Sequence, residues 1–246
     1  MEHQIPKPAQ AGAIRSLQQS TSARIGVGRA GTRPLTAIFL QFRLDHARAR
    51  DAVHSRLSPE ILNWAEQQGF PVITTLAENR LDFVLYPPKG KRAEPETIAG
   101  LERVCPRGND VQIVISDGLS ANAVDANIYD LLPMMQLGLR QEGITSGLPV
   151  VVQLGRVAIA DQIAHALDAK IAVNLIGERP GLSCANGMSA YITYNPGPHT
   201  ISSDRTVVSN IHAQGTPPVE AGAYVVSLIK KILELKVSGV KLQQLG

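Results

Sequence analysis

Val111-Gln112-Ile113-Val114-Ile115-Ser116-Asp117-Gly118 is the stretch that decides the fold. Its apolar run is too short for a helix and ends in three turn-forming residues, the pattern of a strand buried on both faces that runs into a loop. Downstream, a helix is expected from about Asp125 to Gln141, stopped near Gly143. Pro149 to Leu154 reads as the next strand, ended by Gly155, and a helix carrying Ile159, Ile163 and Leu167 follows. Lys170 to Ile176 forms another strand before Gly177-Glu178, and Met188 to Tyr194 is a fourth candidate. Pro217-Pro218-Val219-Glu220 opens a last amphipathic helix through Leu235. Strands alternating with helices imply a mostly parallel sheet with right-handed crossovers. Residues 91–246 are therefore expected to form a Rossmann-like α/β domain.

Upstream the pattern differs. Residues 1–12 read as a disordered lead-in, and 13–20 as one short helix. A helix is expected from about Leu35 to His54, with Ile38, Phe42, Ala49 and Val53 marking one face. Ser58-Pro59-Glu60-Ile61 is a helix start, with Ser58 as cap, Pro59 in the first turn and Gly69 closing the segment. No buried-strand signal occurs before residue 70. Residues 1–90 thus read as a small helical module with a leader.

Composition bounds the function classes. The chain has 246 residues, 44 % of them hydrophobic but only 4 % aromatic, so its core must be built from Val, Ile, Leu and Ala. A formal charge of +3 demands neither a nucleic-acid nor an anionic-membrane surface. No apolar run approaches the roughly 20 residues of a membrane span. The start, MEHQIPKPAQ, lacks the apolar core of a secretory signal. Cys105 and Cys184 form no CxxC pair and read as reduced thiols. These features together point to a cytoplasmic protein.

In open parallel sheets ligands sit beyond the carboxyl ends of the strands. Here those ends are Ser116-Asp117-Gly118, Gly155-Arg156-Val157 and Gly177-Glu178-Arg179, each pairing a glycine with a polar or charged side chain. Other motifs are weaker. Gly26-Val27-Gly28-Arg29-Ala30-Gly31 spells GxGxxG, but polar Gln18 to Ser22 precede it where a dinucleotide site needs a strand. Arg24, Arg29 and Arg33 read instead as turn residues for contacts with another chain or an anion. Gly118-Leu119-Ser120-Ala121-Asn122 lacks the last glycine of a nucleophile elbow, so Ser120 reads as a helix cap or turn hydroxyl. The histidines fall in no zinc-binding pattern. Gly177 to Leu182 and Asp204 to His212 are dense in polar groups and read as recognition loops or as an internal Arg–carboxylate clamp.

Thr21 to Pro34 (TSARIGVGRAGTRP) resembles the opening signature of the small subunit, or light chain, of ethanolamine ammonia-lyase. The order continues with Asp45-His46, Asp51-Ala52-Val53, Ile115 to Ser120, Gly155-Arg156-Val157, the GERPGL stretch at 177–182, Asp204-Arg205-Thr206, Ser209 to His212 and Gly215 to Ala221. The resemblance spans roughly residues 14–240. It implies conversion of ethanolamine to acetaldehyde and ammonia, by a radical route begun from adenosylcobalamin. It further implies a TIM-barrel large subunit that holds the substrate and the catalytic side chains, so none of those is expected in this chain. The family's cobalamin contacts transfer to Val157, Glu178 and Val207. Cysteine can occupy the Val207 position in relatives, so a backbone or apolar contact is implied there.

The chain lacks DxHxxG, and the resemblance therefore implies base-on binding, with dimethylbenzimidazole kept on cobalt. The leader is shorter than in relatives whose extension is linked to bacterial microcompartment packaging, which leaves packaging undetermined. Residues 86–98 depart from the family's arginine-rich stretch. Two other readings stay open: a stand-alone nucleotide-binding α/β enzyme and a non-catalytic assembly module.

Overall fold

The structure, a computed structural model, describes residues 10–21 and 23–245. Residues 1–9 of the expected leader and Ser22 of the opening signature lie outside the described residues. The N-terminal elements are helix α1 (Ala11–Ser20), a two-stranded hairpin of β1 (Arg29–Ala30) and β2 (Arg33–Pro34), α2 (Thr36–His54) and α3 (Pro59–Gln67). The Ser58 side chain accepts a hydrogen bond from the Ile61 amide at 3.2 Å, and Pro59 occupies the first turn of α3, as the sequence predicts. Along α2, Ala52 is the buried residue, while Phe39, Leu40, Phe42 and Leu44 are exposed.

The rest of the chain comprises β3 (Val72–Thr74), α4 (Arg80–Leu85), α5 (Pro95–Val104), β4 (Val111–Ser116), α6 (Ala121–Gln141), β5 (Val150–Gln153), α7 (Ile159–Ala166), β6 (Ile171–Gly177), β7 (Met188–Tyr194), β8 (Arg205–Ile211), α8 (Pro218–Leu235) and α9 (Val240–Gln244). The sheet has six strands in the order β3-β5-β4-β6-β7-β8. Its pairs are parallel from β3 to β6 and antiparallel from β6 to β8. The chain is thus an α/β protein with a mostly parallel sheet preceded by helices.

Every residue of β4 and β6 is buried, as their sequences require. Ile113, Ile115, Val173 and Leu175 pack with α3, α6 and α8 on one face, in a cluster that Leu57, Ile61, Ala65 and Phe70 join. Val114, Val150, Val152 and Ala172 pack with α5 and α7 on the other. That second cluster contains no residue of β7 or β8. The chain enters and leaves β7 by loops rather than crossover helices, so this face of the antiparallel extension has no apolar helical cover, and α7 reaches it through Asp161, which pairs with Arg205.

Two strands of the six-stranded sheet escape the sequence reading for one physical reason. β3 and β8 are the sheet edges, and neither carries a continuous apolar run. Asp204 to His212, read above as a polar loop, contains β8, whose Val208 and Ile211 face the core while Val207, Ser209 and Asn210 are exposed. The expected Val207 loop position is corrected accordingly: Val207 pairs with Tyr191 in the ladder.

Candidate functional site

The uncovered face of β7 and β8 and the carboxyl-end loops of β4, β5 and β6 together form a cleft of about 530 Å³. Gly118 and Leu119 come from the loop after β4, Arg156 and Val157 from the loop after β5, and Ile176 to Arg179 from the end of β6. Ser189 and Tyr191 of β7 and Val207 and Ser209 of β8 complete the lining. This is where the topology of an open α/β sheet places a ligand.

Backbone contact fixes the loops. Gly118 has φ +55°, and a Cβ there would collide with the Gly177 carbonyl oxygen. A Cβ on Gly177 would collide with the Ser120 carbonyl oxygen. The Leu119 amide donates to that Gly177 carbonyl at 3.1 Å. Only glycine permits this approach. Ser120 is fully buried, and its hydroxyl donates to the Ala185 carbonyl at 2.7 Å rather than capping α6. That cap is supplied from afar, since Ser55 Oγ accepts from the Ala121 amide at 3.0 Å.

Glu178 starts the loop after β6. Its Oε1 accepts hydrogen bonds from the Ser189 hydroxyl and from the Asn210 amide, the latter at 2.9 Å. The carboxylate therefore spans β6, β7 and β8 with one oxygen, which fixes the aim of the other. Burial, and next the charge of Glu178, push the Tyr191 hydroxyl above its ordinary value.

A buried charged layer lies beneath the cleft. Asp117 is 2 % exposed and Arg80 is 5 % exposed, and their side chains meet at 3.3 Å. Asp117 Oδ1 accepts from the Gly155 amide at 2.9 Å, so the carboxylate at the end of β4 clamps the turn that presents Val157. Arg80 Nε donates to the Val53 carbonyl at 2.6 Å. Burial pushes the Asp117 carboxyl up, against the pull of Arg80 and of backbone N–H donors, and lowers Arg80 against the pull of Asp117. Phe83 receives both guanidinium groups, with Arg80 4.8 Å and Arg156 4.1 Å from its ring centre. Asn174 Nδ2 donates to the Val157 carbonyl at 3.1 Å, holding that residue from below.

The structure brings Val157, Glu178 and Val207, all named from sequence, into this one cleft. It removes Asp117 from the set of residues able to touch a ligand, because its polar groups serve the fold. Arg205 forms a largely buried ion pair with Asp161, so in that segment the internal clamp is real. Gly26 to Gly31 does not build a βαβ unit: α1 precedes the glycines, and β1 and β2 form a tight hairpin through Gly31 at φ +63°. Arg24 reaches Asp45 of α2 and the Leu182 carbonyl within this chain. Cys105 and Cys184 are both free thiols. Among the described residues, no group of three or more His, Cys, Asp or Glu side chains could hold a metal ion. No described helix is long and apolar enough to cross a membrane.

The sequence reading missed Arg80, Phe83, Ser189 and Tyr191. The first two lie on α4, whose start was signalled by Asn79, which caps the Asp82 amide at 3.0 Å. Ser189 and Tyr191 carry no such local signal, because their role depends on which face of β7 is left uncovered. A family model described as ethanolamine ammonia-lyase light chain (EutC) matches residues 11–243 of the 246. The chain belongs to that family, the light chain of the ethanolamine ammonia-lyase complex.

Proposed function

We propose that this chain is the small subunit of an adenosylcobalamin-dependent ethanolamine ammonia-lyase, that it covers part of the corrinoid through Val157, Glu178 and Val207, and that it is active only with the large subunit. The observation that carries the reading is the convergence of those residues, from three separate segments, on one cleft at the carboxyl ends of the strands. The cleft suits a macrocycle with apolar faces and an amide-bearing rim. Val157, Ile176 and Val207 offer apolar contact, Gly118 and Gly177 keep the backbone accessible, and Glu178 offers an acceptor for amide N–H groups. A whole corrinoid is larger than 530 Å³, which supports cover of the remainder by another chain. Exposed Phe39, Leu40, Phe42 and Leu44 on α2 support a large partner surface.

When bound, the cofactor supplies the cobalt–carbon bond whose homolysis begins the radical reaction. This chain binds, orients and excludes water. Glu178, held by Ser189 and the Asn210 amide, would accept from amide N–H groups of the rim, while Asn174 and Asp117 hold the turn that presents Val157. We take the cofactor to bind base-on, with dimethylbenzimidazole kept on cobalt, as the resemblance implies. We further propose a cytoplasmic location and a Rossmann-like domain over residues 91–246, whose sheet and core β3 and α3 join from the helical module expected over the first 90 residues.

The decisive experiment is co-expression with a large subunit and an adenosylcobalamin-dependent ethanolamine deamination assay. Activity that needs both chains and the cofactor supports the proposal. A stable complex that is inactive and binds no corrinoid overturns it in favour of an assembly module. Within an active complex, Glu178→Ala should weaken corrinoid binding about 10-fold, the worth of one hydrogen bond to a charged group. Unchanged affinity would remove Glu178 from the contacts.

A further inference from the structure

We infer that Arg156 is the anion-recognition residue of the cleft, and that its partner is the phosphodiester of the corrinoid's nucleotide loop; the inference rests on the cofactor reading above. Three observations carry it. Arg156 lines the cleft, and its position is set before any ligand arrives. Its guanidinium stacks 4.1 Å from the centre of Phe83, its Nη2 donates to the Phe83 carbonyl at 2.8 Å, and its backbone amide donates to the Gly90 carbonyl at 2.7 Å. Gly90 leaves the slot for its stem, since a Cβ there would lie 2.7 Å from Arg156 Cγ.

The charge is also unbalanced. Two guanidinium groups, Arg80 and Arg156, flank Phe83, and the carboxylate beneath them, Asp117, is paired with Arg80 and bonded to the Gly155 amide. Among the described residues Glu178 is the only carboxylate in the lining, and its Oε1 is taken by Ser189 and Asn210. Among the described residues Arg156 has no ion-pair partner, and its Nε is buried without a hydrogen bond. A fixed, partly desolvated guanidinium with spare donors is a receptor for a planar or tetrahedral oxyanion.

The chemistry of the ligand selects which group answers. The amide side chains on a corrin rim are neutral and suit Glu178 and backbone groups. The nucleotide loop carries a phosphodiester, a permanent anion, and base-on binding keeps that loop folded beneath the ring on the side away from the adenosyl group.

The test uses this chain assembled with the large subunit and reads affinity by absorbance titration with two probes. One is adenosylcobalamin; the other is adenosylcobinamide, which lacks the nucleotide loop. Arg156→Gln should weaken adenosylcobalamin binding about 10- to 100-fold, as for loss of a charge-assisted hydrogen bond. Adenosylcobinamide binding should change by less than about threefold, because the lost contact is absent from that ligand. Equal loss for both probes would mean that Arg156 only shapes the cleft, and would overturn the inference. So would unchanged affinity for both, or weakened subunit assembly with cofactor affinity unchanged, which would give the anion to the partner chain. A wild-type complex that binds neither probe would fail the cofactor reading itself. Should the glutamine variant not assemble, Arg156→Lys, which keeps the charge but loses the planar fork, gives the same comparison.

Discussion

Replacing Asp117 by Asn should unfold this chain far more readily than a surface substitution would. Asp117 and Arg80 are 2 % and 5 % exposed and meet at 3.3 Å, so neutralising the acid leaves a guanidinium buried beside Phe83 without its counter-charge. Arg80 Nη2 already lacks a hydrogen-bond partner, so the site has no spare acceptor with which to compensate. Breaking a buried pair from one side costs about 3–5 kcal/mol. An asparagine oxygen can still accept from the Gly155 amide, which keeps the expected loss near the lower figure, about 3 kcal/mol. That is a large share of the roughly 5–15 kcal/mol by which a domain is stable. Urea titration followed by Trp64 fluorescence should report it, since this single tryptophan packs 5.4 Å from Phe70 and 5.2 Å from Tyr129, centre to centre. With a slope of about 3 kcal/mol per molar, the midpoint should fall by about 1 M. Adding Arg80→Met should restore most of the loss, because the buried charge is then gone. A midpoint shift under about 0.3 M for Asp117→Asn, or a double variant no more stable than the single, would refute the argument.

Other consequences are sharper in sign than in size. Gly177→Ala should cost at least about 3 kcal/mol and lower the melting temperature by about 6–12 °C, because its methyl meets the backbone oxygen of Ser120 and not a movable side chain. Ser55→Ala should cost about 1 kcal/mol in a denaturant titration by uncapping α6, whereas Ser120→Ala should leave that cap intact. For Asp110, burial pushes the carboxyl up, but Lys170 and the amide and hydroxyl of Thr145 outweigh it and hold the carboxyl below its ordinary value. A depressed acid stabilises fully above its unfolded value of about 3.9 and loses that contribution as pH falls through its folded value. Stability measured between pH 5 and pH 2 (about the window concerned) should therefore fall less steeply in Asp110→Asn than in the unmodified chain.

The parts of this protein that local physics decides were legible in the sequence. The run from Val111 to Ile115 has to be buried on both faces, and Ser58-Pro59 has to start a helix, wherever they sit. The glycines at 118 and 177 marked the strand ends, and the ordered motifs from Thr21 to Ala221 carried the family. Tertiary structure decided the rest, because the reasons lie far along the chain. Arg205 to Ile211 looks like a polar loop until Tyr191 and its neighbours pair with it, since an edge strand needs apolar residues only where it meets the core. Arg80 looks like any surface arginine until Asp117, from the end of β4, meets it below the sheet's rim. The cleft itself exists because β7 and β8 turn back without a crossover helix. A strand's own residues determine that it is a strand, but which of its faces stays open is set by the elements that do not pack there.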